Sequence, residues 1–487
     1  MPAPDPPSER EPHEAAENRP DASGRGGWAL PWSESQAARH LRSLELFGMR
    51  FGLDRMRRMM TVLGSPEQRF DTIHVVGTNG KSSTTRMTAA ILERHGLRTG
   101  AYSSPHLISY TERVRVGERD VGSDAFAAAV ARAAWAAERV NRTLAGDDHV
   151  TQFELLTAAA FSEMARQEVQ VAVVEAGLGG RYDATNVISS RVTALTNVGL
   201  EHTRWLGPTV RDIAGEKLAV LEPDTTLVLG ADLAPEALEV AANVAAARRA
   251  RVVCARSDGP PVPLLATGAF QRRNFALARA AAEAYLTAPG AHGPAAIEGV
   301  ALEGDAHERA VRDAAASTAV PGRLQVIDED PLTVLDGAHN PDAVAALIES
   351  LPEVLGDRPT ALVLGVLEDK DAASMLASLL GHCERAWFTA PPSDRALSPA
   401  ALQSLARQLG FDAVSCEPEP GHALTQARRW AGRRAGAVLA TGSVYLVGDL
   451  LGGFQQGRVR GGSREDGGLD EVATVRGQTV LGWRLGR

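Results

Sequence analysis

Residues 73–83 read Ile73-His74-Val75-Val76-Gly77-Thr78-Asn79-Gly80-Lys81-Ser82-Ser83, and TTRMTAAILERHG follows to Gly96. A β-branched run ending in glycines predicts a strand turning sharply into a helix. Met87, Ala90 and Ile91 give that helix an apolar face, and Gly96 suits its C-terminal cap. Such a turn aims the N–H groups of the helix N-terminus at an anion, and Lys81 adds a compact positive charge for phosphates. Serine hydroxyls here can also ligate Mg²⁺. A strict phosphate-loop pattern asks for glycine at position 75, which is valine, so the loop is a shortened variant. The plainer alternative is a tight strand-to-helix turn with an exposed lysine. Composition weighs against it: of 51 basic residues only Lys81, Lys217 and Lys370 are lysines, and the other 48 are arginines. Where arginine serves almost everywhere else, each lysine is a functional candidate.

Beyond this stretch, β-branched runs alternate with Ala-rich helical ones, through VQVAVVEAG, RVTALTNVG and VRDIAGEKLAVL. This rhythm predicts an α/β fold, a mostly parallel sheet covered by helices on both faces. Long helices are predicted over Ser123 to Asn141, Phe153 to Arg166 and Arg273 to Leu286. The loose stretch APGAHGPAAIEGVALEGD breaks the pattern before VPGR, and strands resume with PLTVLD, TALVLGVL, RAWFTAP and GAVLATGSVYLVG. The expected organisation is a first domain over 34–319 and a second over 320–452. Residues 1–33, rich in Pro, Glu, Arg and small residues, are expected to be disordered. The Gly- and Arg-rich tail 453–487 is expected to be flexible, with VATVRGQTVLGW as a candidate short strand. No repeat recurs at a fixed period, which argues against a solenoid.

The chain has 487 residues, a formal charge of −9, 44% hydrophobic and 23% charged residues. That length exceeds one ordinary core, and the apolar fraction excludes a wholly disordered chain or a fibre. A pI near 5.8 argues against a general nucleic-acid or anionic-membrane binder. Cys254, Cys383 and Cys416 form no CxxC pair and are too few for a disulfide framework, as suits a reducing cytoplasm. No apolar run reaches the ~18 residues of a membrane helix, and the N-terminus lacks a signal peptide's apolar centre. A soluble cytoplasmic protein is expected.

Two further constellations sit at predicted strand ends. In Val173-Val174-Glu175-Ala176-Gly177-Leu178-Gly179-Gly180-Arg181-Tyr182-Asp183, a carboxylate leaves a buried strand into a glycine-rich loop, where it could hold Mg²⁺ at the phosphates. It could equally cap a helix or face solvent. In Thr196-Asn197-Val198-Gly199-Leu200-Glu201-His202-Thr203, His202 taken alone is more often structural than a ligand.

HVVGTNGKSS, YSSPHLISYTERV, VVEAGLGGRYDATNV, LTNVGLEHTRWLGPTVRDIAGEKLAV, VPGRLQ, DGAHNP, VLGVLEDKD and TGSVYLVGDL occur in this order. Together they resemble the folylpolyglutamate synthase/dihydrofolate synthase family over about residues 38–452. GTNGK alone points only to the wider Mur ligase superfamily; EAGLGGRYDATN and SSPHL point to its folate branch. The resemblance implies an N-terminal P-loop ATPase domain, a smaller C-terminal Rossmann-like α/β domain, and substrates meeting between them. It implies an ATP-dependent amide ligase acting on dihydropteroate or the glutamate tail of a reduced folate. ATP converts a carboxylate into an acyl phosphate, the amine of L-glutamate attacks it, and ADP and phosphate leave. Such chemistry asks mainly for positioning and charge neutralisation.

By the same resemblance, Gly77, Thr78, Asn79, Gly80, Lys81 and Ser82 match the ATP phosphate loop, and Ser104, Glu175 and His202 match holders of two Mg²⁺ ions. Lys217 matches a lysine that becomes carbamylated. Asn274 and Arg323 match nucleotide contacts, Asp336 the ribose contact, and His339 and Ser443 positions near the phosphate and incoming glutamate. Lys81, Lys217 and His339 are thus the implied catalytic residues. A monomer is implied, with small-molecule partners and neither nucleic acid nor membrane. Lys370 lies in the family's DKD turn, with no role derived. Plain alternatives stand beside these. Lys217 could be a solvated helix lysine; Arg323 could pack its stem at the hinge; Asp336 and His339 could cap a helix beginning at Asn340-Pro341. Glu154 reads as a charge opening its helix and stays outside the site. Three positions depart from the family pattern: Glu201 for aspartate, Ser82 for glycine and Phe270 for histidine. A Mur-type ligase for another acid and amino acid, and an ATP-binding protein without turnover, are the competing readings.

Overall fold

The computed structural model describes residues 32–44, 52–256, 262–290 and 304–457. The disorder expected over residues 1–33 does not hold for Trp32, which packs against the core, or Ser33, which caps the first helix; residues 1–31, most of the interruption before VPGR, and the candidate tail strand lie outside the described residues. Helix α1 (Glu34–Ser43) opens at Ser33, whose hydroxyl accepts the Gln36 N–H while the Gln36 side chain accepts the Ser33 N–H. After α2 (Asp54–Val62), β1 (Asp71–Val76) runs through the 77–80 loop into α3 (Lys81–Arg94) and back as β2 (Thr99–Tyr102). Short strands β3 (Val114–Val116) and β4 (Arg119–Asp120) extend one edge. Helices α4 (Ser123–Asn141) and α5 (Gln152–Arg166) lead to β5 (Val171–Glu175). Next come β6 (Val192–Leu195), α6 (Thr203–Leu206), α7 (Val210–Leu218), β7 (Thr226–Leu229), α8 (Pro235–Arg248) and β8 (Arg251–Cys254). Helices α9 (Ala269–Leu286) and α10 (Asp305–Ser317) complete this domain. The first predicted long helix matches α4. The second starts earlier because Thr151 and Glu154 close a capping box, and the third starts earlier, at Ala269.

The first sheet has eight strands in the order β4-β3-β2-β5-β1-β6-β7-β8, parallel from β2 through β8. Its central strands are buried on both faces, which is why they read as continuous apolar runs. Along β5, Val171 and Val173 pack with α3 and α9, while Ala172 and Val174 pack with α4 and α5. The second sheet takes β9 (Gln325–Glu329), β10 (Leu332–Leu335), β11 (Thr360–Leu364), β12 (Arg385–Phe388), β13 (Val414–Cys416) and β14 (Ala437–Thr441). Their order is β13-β12-β11-β14-β10-β9, with only β9 antiparallel. Helices α11 (Pro341–Leu355), α12 (Ala372–Leu379), α13 (Pro399–Gln408), α14 (Pro420–Gly432) and α15 (Val444–Gln455) cover it. The architecture is the two-domain α/β fold expected from the sequence. Residues 453–455 of the expected tail belong to the last helix. Among the described residues no helix is long and apolar enough to cross a membrane.

In an open parallel sheet, ligands gather outside the carboxyl ends of the strands, where the strand order reverses. Here those ends carry Gly77, Ser104, Glu175 and Thr196 in one domain, and Asp336 and Gly442 in the other. Behind them, Arg55 of α2 and Glu154 of α5 are 6% and 5% exposed and pair at 3.1 Å. Glu154 therefore serves the helix start, as its place in the sequence suggests, and is in addition buried against Arg55. Removing one partner of a buried pair strands the other charge, at a cost of about 3–5 kcal/mol. Arg55→Ala should show a loss of that order in urea unfolding, with Arg55→Ala/Glu154→Gln recovering part of it; an unchanged midpoint would refute the pair's role.

Candidate active site

The 77–80 loop is pinned from the neighbouring strand end. Thr78 N donates to Asn197 O at 3.0 Å, Asn79 N to Asn197 Oδ1 at 2.9 Å, and Gly199 N to Thr78 Oγ1 at 3.0 Å. Gly77, at φ 148°, lies so close to β6 that a Cβ there would stand 1.8 Å from Thr196 Oγ1 and 3.1 Å from Asn197 O. Gly80, at φ 81°, is similarly backed by Asn274 Oδ1, 2.3 Å from a notional Cβ. The first-turn N–H groups of α3 lack intrahelical acceptors and face the cleft as an anion cradle. Lys81 Nζ donates to Thr78 O at 3.0 Å, so the amine is folded back over the loop rather than extended into solvent.

Glu175, at the end of β5, is 2% exposed. Its Oε1 accepts from Ser82 Oγ at 3.0 Å and its Oε2 from Ser104 N at 3.2 Å. Burial raises its pKa, against the opposing pull of Lys81 and these bonds. It is neither a cap nor a solvent carboxylate; that alternative falls. His202 opens α6 in the left-handed region at φ 53°, and burial pushes its pKa down to about 4, leaving a neutral imidazole. Among the described residues no three His, Cys, Asp or Glu side chains converge as a metal cluster. One buried carboxylate with serine hydroxyls and a neutral imidazole fits Mg²⁺ all the same, since that ion keeps waters and completes its shell with substrate phosphate oxygens.

Lys217 of α7 is 5% exposed and its Nζ donates to Gly77 O at 2.7 Å. Burial first, and then the charge of Lys81, pull its pKa down to about 7. The solvated-lysine alternative is therefore wrong.

The opposite wall comes from the second domain. Asp336 is 2% exposed, with Oδ2 accepting Leu324 N at 2.9 Å and Oδ1 accepting Ala338 N at 2.8 Å. It does not cap α11; Asn340 does, accepting Ala343 N at 2.8 Å. Arg323 donates to Gly322 O at 3.2 Å and lies against Gly337, where a Cβ would be 2.0 Å from Nη1. His339 Nδ1 contacts Gly337 O at 2.8 Å, and Nε2 stands 3.4 Å from Glu201 Oε1. Lys370 Nζ meets the same oxygen at 2.8 Å, with both side chains about nine-tenths buried. Burial disfavours the charge on Glu201, but His339 and Lys370 hold its carboxyl well below the usual range. This three-way contact and a reciprocal amide pair, Asn79 with Asn340 at 3.0 and 3.1 Å, join the two domains across the site.

The resulting cleft, of about 610 Å³, is lined by Gly77 through Ser82, Ser104, Glu175, His202, Lys217, Asn274, Arg323, Asp336 and His339. Every sequence-derived site residue is there except Ser443. That residue is 2% exposed, caps α15 by accepting Tyr445 N at 3.2 Å, and leaves only its neighbour Val444 on the cleft wall. Phe270, one of the departures, also lines the cleft. Sequence reasoning missed Asn197, Asn340 and the Glu201–Lys370 contact. Asn197 and Asn340 lie inside quoted motifs, whereas nothing local signals that residues 169 positions apart will touch.

Residues 75–247 match the Mur ligase middle domain and residues 322–444 the Mur ligase glutamate ligase domain. The chain is 30% identical over 430 residues to the dihydrofolate synthase/folylpolyglutamate synthase of Bacillus subtilis, covering 83% of this chain and 95% of that one. Among solved structures it is similar to Mycobacterium tuberculosis folylpolyglutamate synthase complexed with ADP, with a TM-score of 0.78, 30% identity, and 86% and 98% of the two chains covered. It is also similar to the Yersinia pestis bifunctional folylpolyglutamate synthase/dihydrofolate synthase complexed with AMPPNP and Mn ion. There the TM-score is 0.71 and the identity 27%, with 87% and 98% covered.

The crowding at Gly77 is directly testable. Gly77→Ala should destabilise the chain by about 1–3 kcal/mol, as overpacking against backbone does. Gly215→Ala in α7, where a Cβ meets nothing within 4 Å, should instead add up to about 1 kcal/mol. Denaturant unfolding of both variants reads the contrast, and equal effects would contradict it.

Proposed function

The chain belongs to the folylpolyglutamate synthase/dihydrofolate synthase family of the Mur ligase superfamily, and we propose how its own residues carry the family's reaction. It is an ATP-dependent ligase forming a carbon–nitrogen bond. L-Glutamate is joined to dihydropteroate, to the glutamate tail of a reduced folate, or to both, and ADP and phosphate are released. The observation that carries the mechanism is the single cleft walled by the phosphate loop of one domain and residues 336–339 of the other.

In the first step an oxygen of the acceptor carboxylate attacks the γ-phosphorus of ATP, the bond from that phosphorus to the β–γ bridging oxygen breaks, and ADP departs. The free N–H groups at the N-terminus of α3 and the ammonium of Lys81 hold the phosphates in line and take up their charge. Asn274 and Arg323 hold the nucleotide and Asp336 the ribose. In the second step the neutral amine of L-glutamate attacks the acyl carbon, phosphate leaves, and the nitrogen gives up a proton. His339, on the C-terminal wall, orients the phosphate and the incoming amino acid. Lys370 and Glu201 keep that wall in register.

The enzyme works with ATP and a divalent metal. Its finer identity we propose as two Mg²⁺ ions, held by Glu175, Ser104 and His202 and supported by carbamylated Lys217, which would neutralise phosphate charge. Lys217 suits carbamylation because its depressed pKa leaves a nucleophilic amine. That nitrogen bonds to the carbon of CO₂ and loses a proton, and the anion so formed turns its repulsion from Lys81 into attraction. The domain boundary is placed between residues 319 and 320. The enzyme is proposed to act as a cytoplasmic monomer on small molecules, without nucleic-acid or membrane partners.

Phosphate release with Mg²⁺, ATP and L-glutamate should be stimulated by dihydropteroate, by tetrahydrofolate, or by both; stimulation by neither would overturn the ligase reading. Lys81→Arg should lose most turnover, since a guanidinium does not replace the compact ammonium. At constant bicarbonate, a ¹³C carbamate resonance should grow as pH rises through about 7 and level off well below 10.5, the ordinary lysine value. The resonance should vanish in Lys217→Arg, and its absence from the native enzyme would exclude the modification.

A further inference from the structure

Helix α3 serves two clefts. Its first turn, with Lys81 and Ser82, faces the site above, while Arg86, five residues or about 7.5 Å further along the axis, faces a second cleft of about 540 Å³. Its lining also includes Leu107, Ile108 and Leu451, Arg115 of β3, and the carboxylates of Glu112, Glu118 and Asp120. The two clefts are also separated by one loop, with Ser104 and Pro105 on the first side and Leu107 and Ile108 on the second.

Arg86 is partly buried, yet among the described residues it donates no hydrogen bond and pairs with no carboxylate. Burial first, and then Arg115, lower its pKa against the weaker pull of Asp120, Glu112 and Glu175, although an arginine stays protonated under any physiological condition. The acids nearby are already engaged. Glu112 accepts the N–H groups of Leu107, Ile108 and Ser109 at 2.9, 2.8 and 2.7 Å. Glu118 pairs with Arg94 at 2.9 Å, and Asp120 with Arg115 at 2.8 Å. A sequestered guanidinium without a partner is costly unless something supplies one. Its planar fork matches a carboxylate bidentately, and the leucine and isoleucine walls suit methylene groups beside that carboxylate.

We propose that this second cleft is a carboxylate subsite for the acceptor's tail, with Arg86 taking the α-carboxylate of a glutamyl residue already attached to the folate. The assignment rests on the ligase reading above. Each γ-linked glutamate leaves its α-carboxylate free, so an acceptor reacting at the phosphate loop carries a second anion that can reach across the shared helix. Dihydropteroate has only its reacting carboxylate and gains nothing from Arg86.

The test compares acceptors in steady-state kinetics on the full chain. Arg86→Gln should raise KM for tetrahydrofolate triglutamate by about tenfold or more, the usual cost of a lost charge-assisted pair. The KM values for ATP, L-glutamate and any dihydropteroate turnover should stay within about twofold, and Arg86→Lys should fall between the two. An unchanged KM for the triglutamate in Arg86→Gln would overturn the proposal, whereas failure of the ligase reading would appear as no turnover by the native enzyme on any acceptor. Calorimetric titration with a tri-γ-glutamate peptide lacking the pterin decides the matter without turnover. Binding to the native chain that disappears in an Arg86→Gln variant of unchanged thermal midpoint supports the subsite. No binding, or equal binding of inorganic phosphate, refutes it.

Discussion

Strand β1 lies hydrogen-bonded in parallel between β5 and β6, with Val75 opposite Glu175 and Val76 opposite Leu195. This register is the constraint on which the site depends. It brings the end of β1 beside a carboxylate on one side and beside Thr196 and Asn197 on the other. The space left between strand ends admits no side chain at position 77. A backbone without a Cβ can then approach whatever occupies the loop, and the N–H groups of Thr78 and Asn79 are held by Asn197 instead of by the phosphates. The loop is therefore pre-formed, and binding does not have to meet the cost of ordering it.

The charges around this loop explain why the chain keeps so few lysines. Lys81, Lys217 and Lys370 all stand in or beside one cleft, and each uses a property that arginine lacks. Lys81 folds a compact ammonium back onto the carbonyl of Thr78. Lys217 sits in surroundings dry enough to bring its pKa to about 7, which a guanidinium could not match. Lys370 reaches a carboxylate oxygen that His339 also approaches, in a space shared by three side chains. That contact links the two domains through charge beside the phosphate loop, as Arg272–Glu353 and Arg273–Glu349 do between α9 and α11, so cleft geometry and electrostatics are coupled at Glu201.

The Glu201 contact also shows why the pair is more than a surface salt bridge. Both partners are nearly buried, so their attraction is weakly screened, and removing either would leave the other with only a longer contact, Glu201 to His339 at 3.4 Å or Lys370 to Asp369 at 3.7 Å. Together with the Asn79–Asn340 amide pair it ties the phosphate loop of one domain to the helix-capping residue of the other. A shift of the C-terminal domain is therefore felt directly at the loop that holds phosphate.

Local chemistry was sufficient for much of this. The β-branched runs, the glycines at positions 77 and 80 and the Ala-rich helices specify elements whose hydrogen bonds close within short stretches of chain, so their residues alone determined the α/β alternation and the anion cradle. The carboxylate at the end of β5 and the scarcity of lysine pointed to the same site. Roles that depend on neighbours distant in sequence could be decided only by the folded chain. Glu175 is a buried carboxylate because Ser82 and Ser104 close over it. Asp336 binds backbone N–H groups while Asn340 takes the cap, and Ser443 turns into its own helix N-terminus. Lys217 lies beside Gly77, 140 positions away, and Arg86 lacks a partner because the acids around it are already bonded. Burial and charge compensation are properties of a three-dimensional neighbourhood, and no stretch of sequence contains its own neighbourhood.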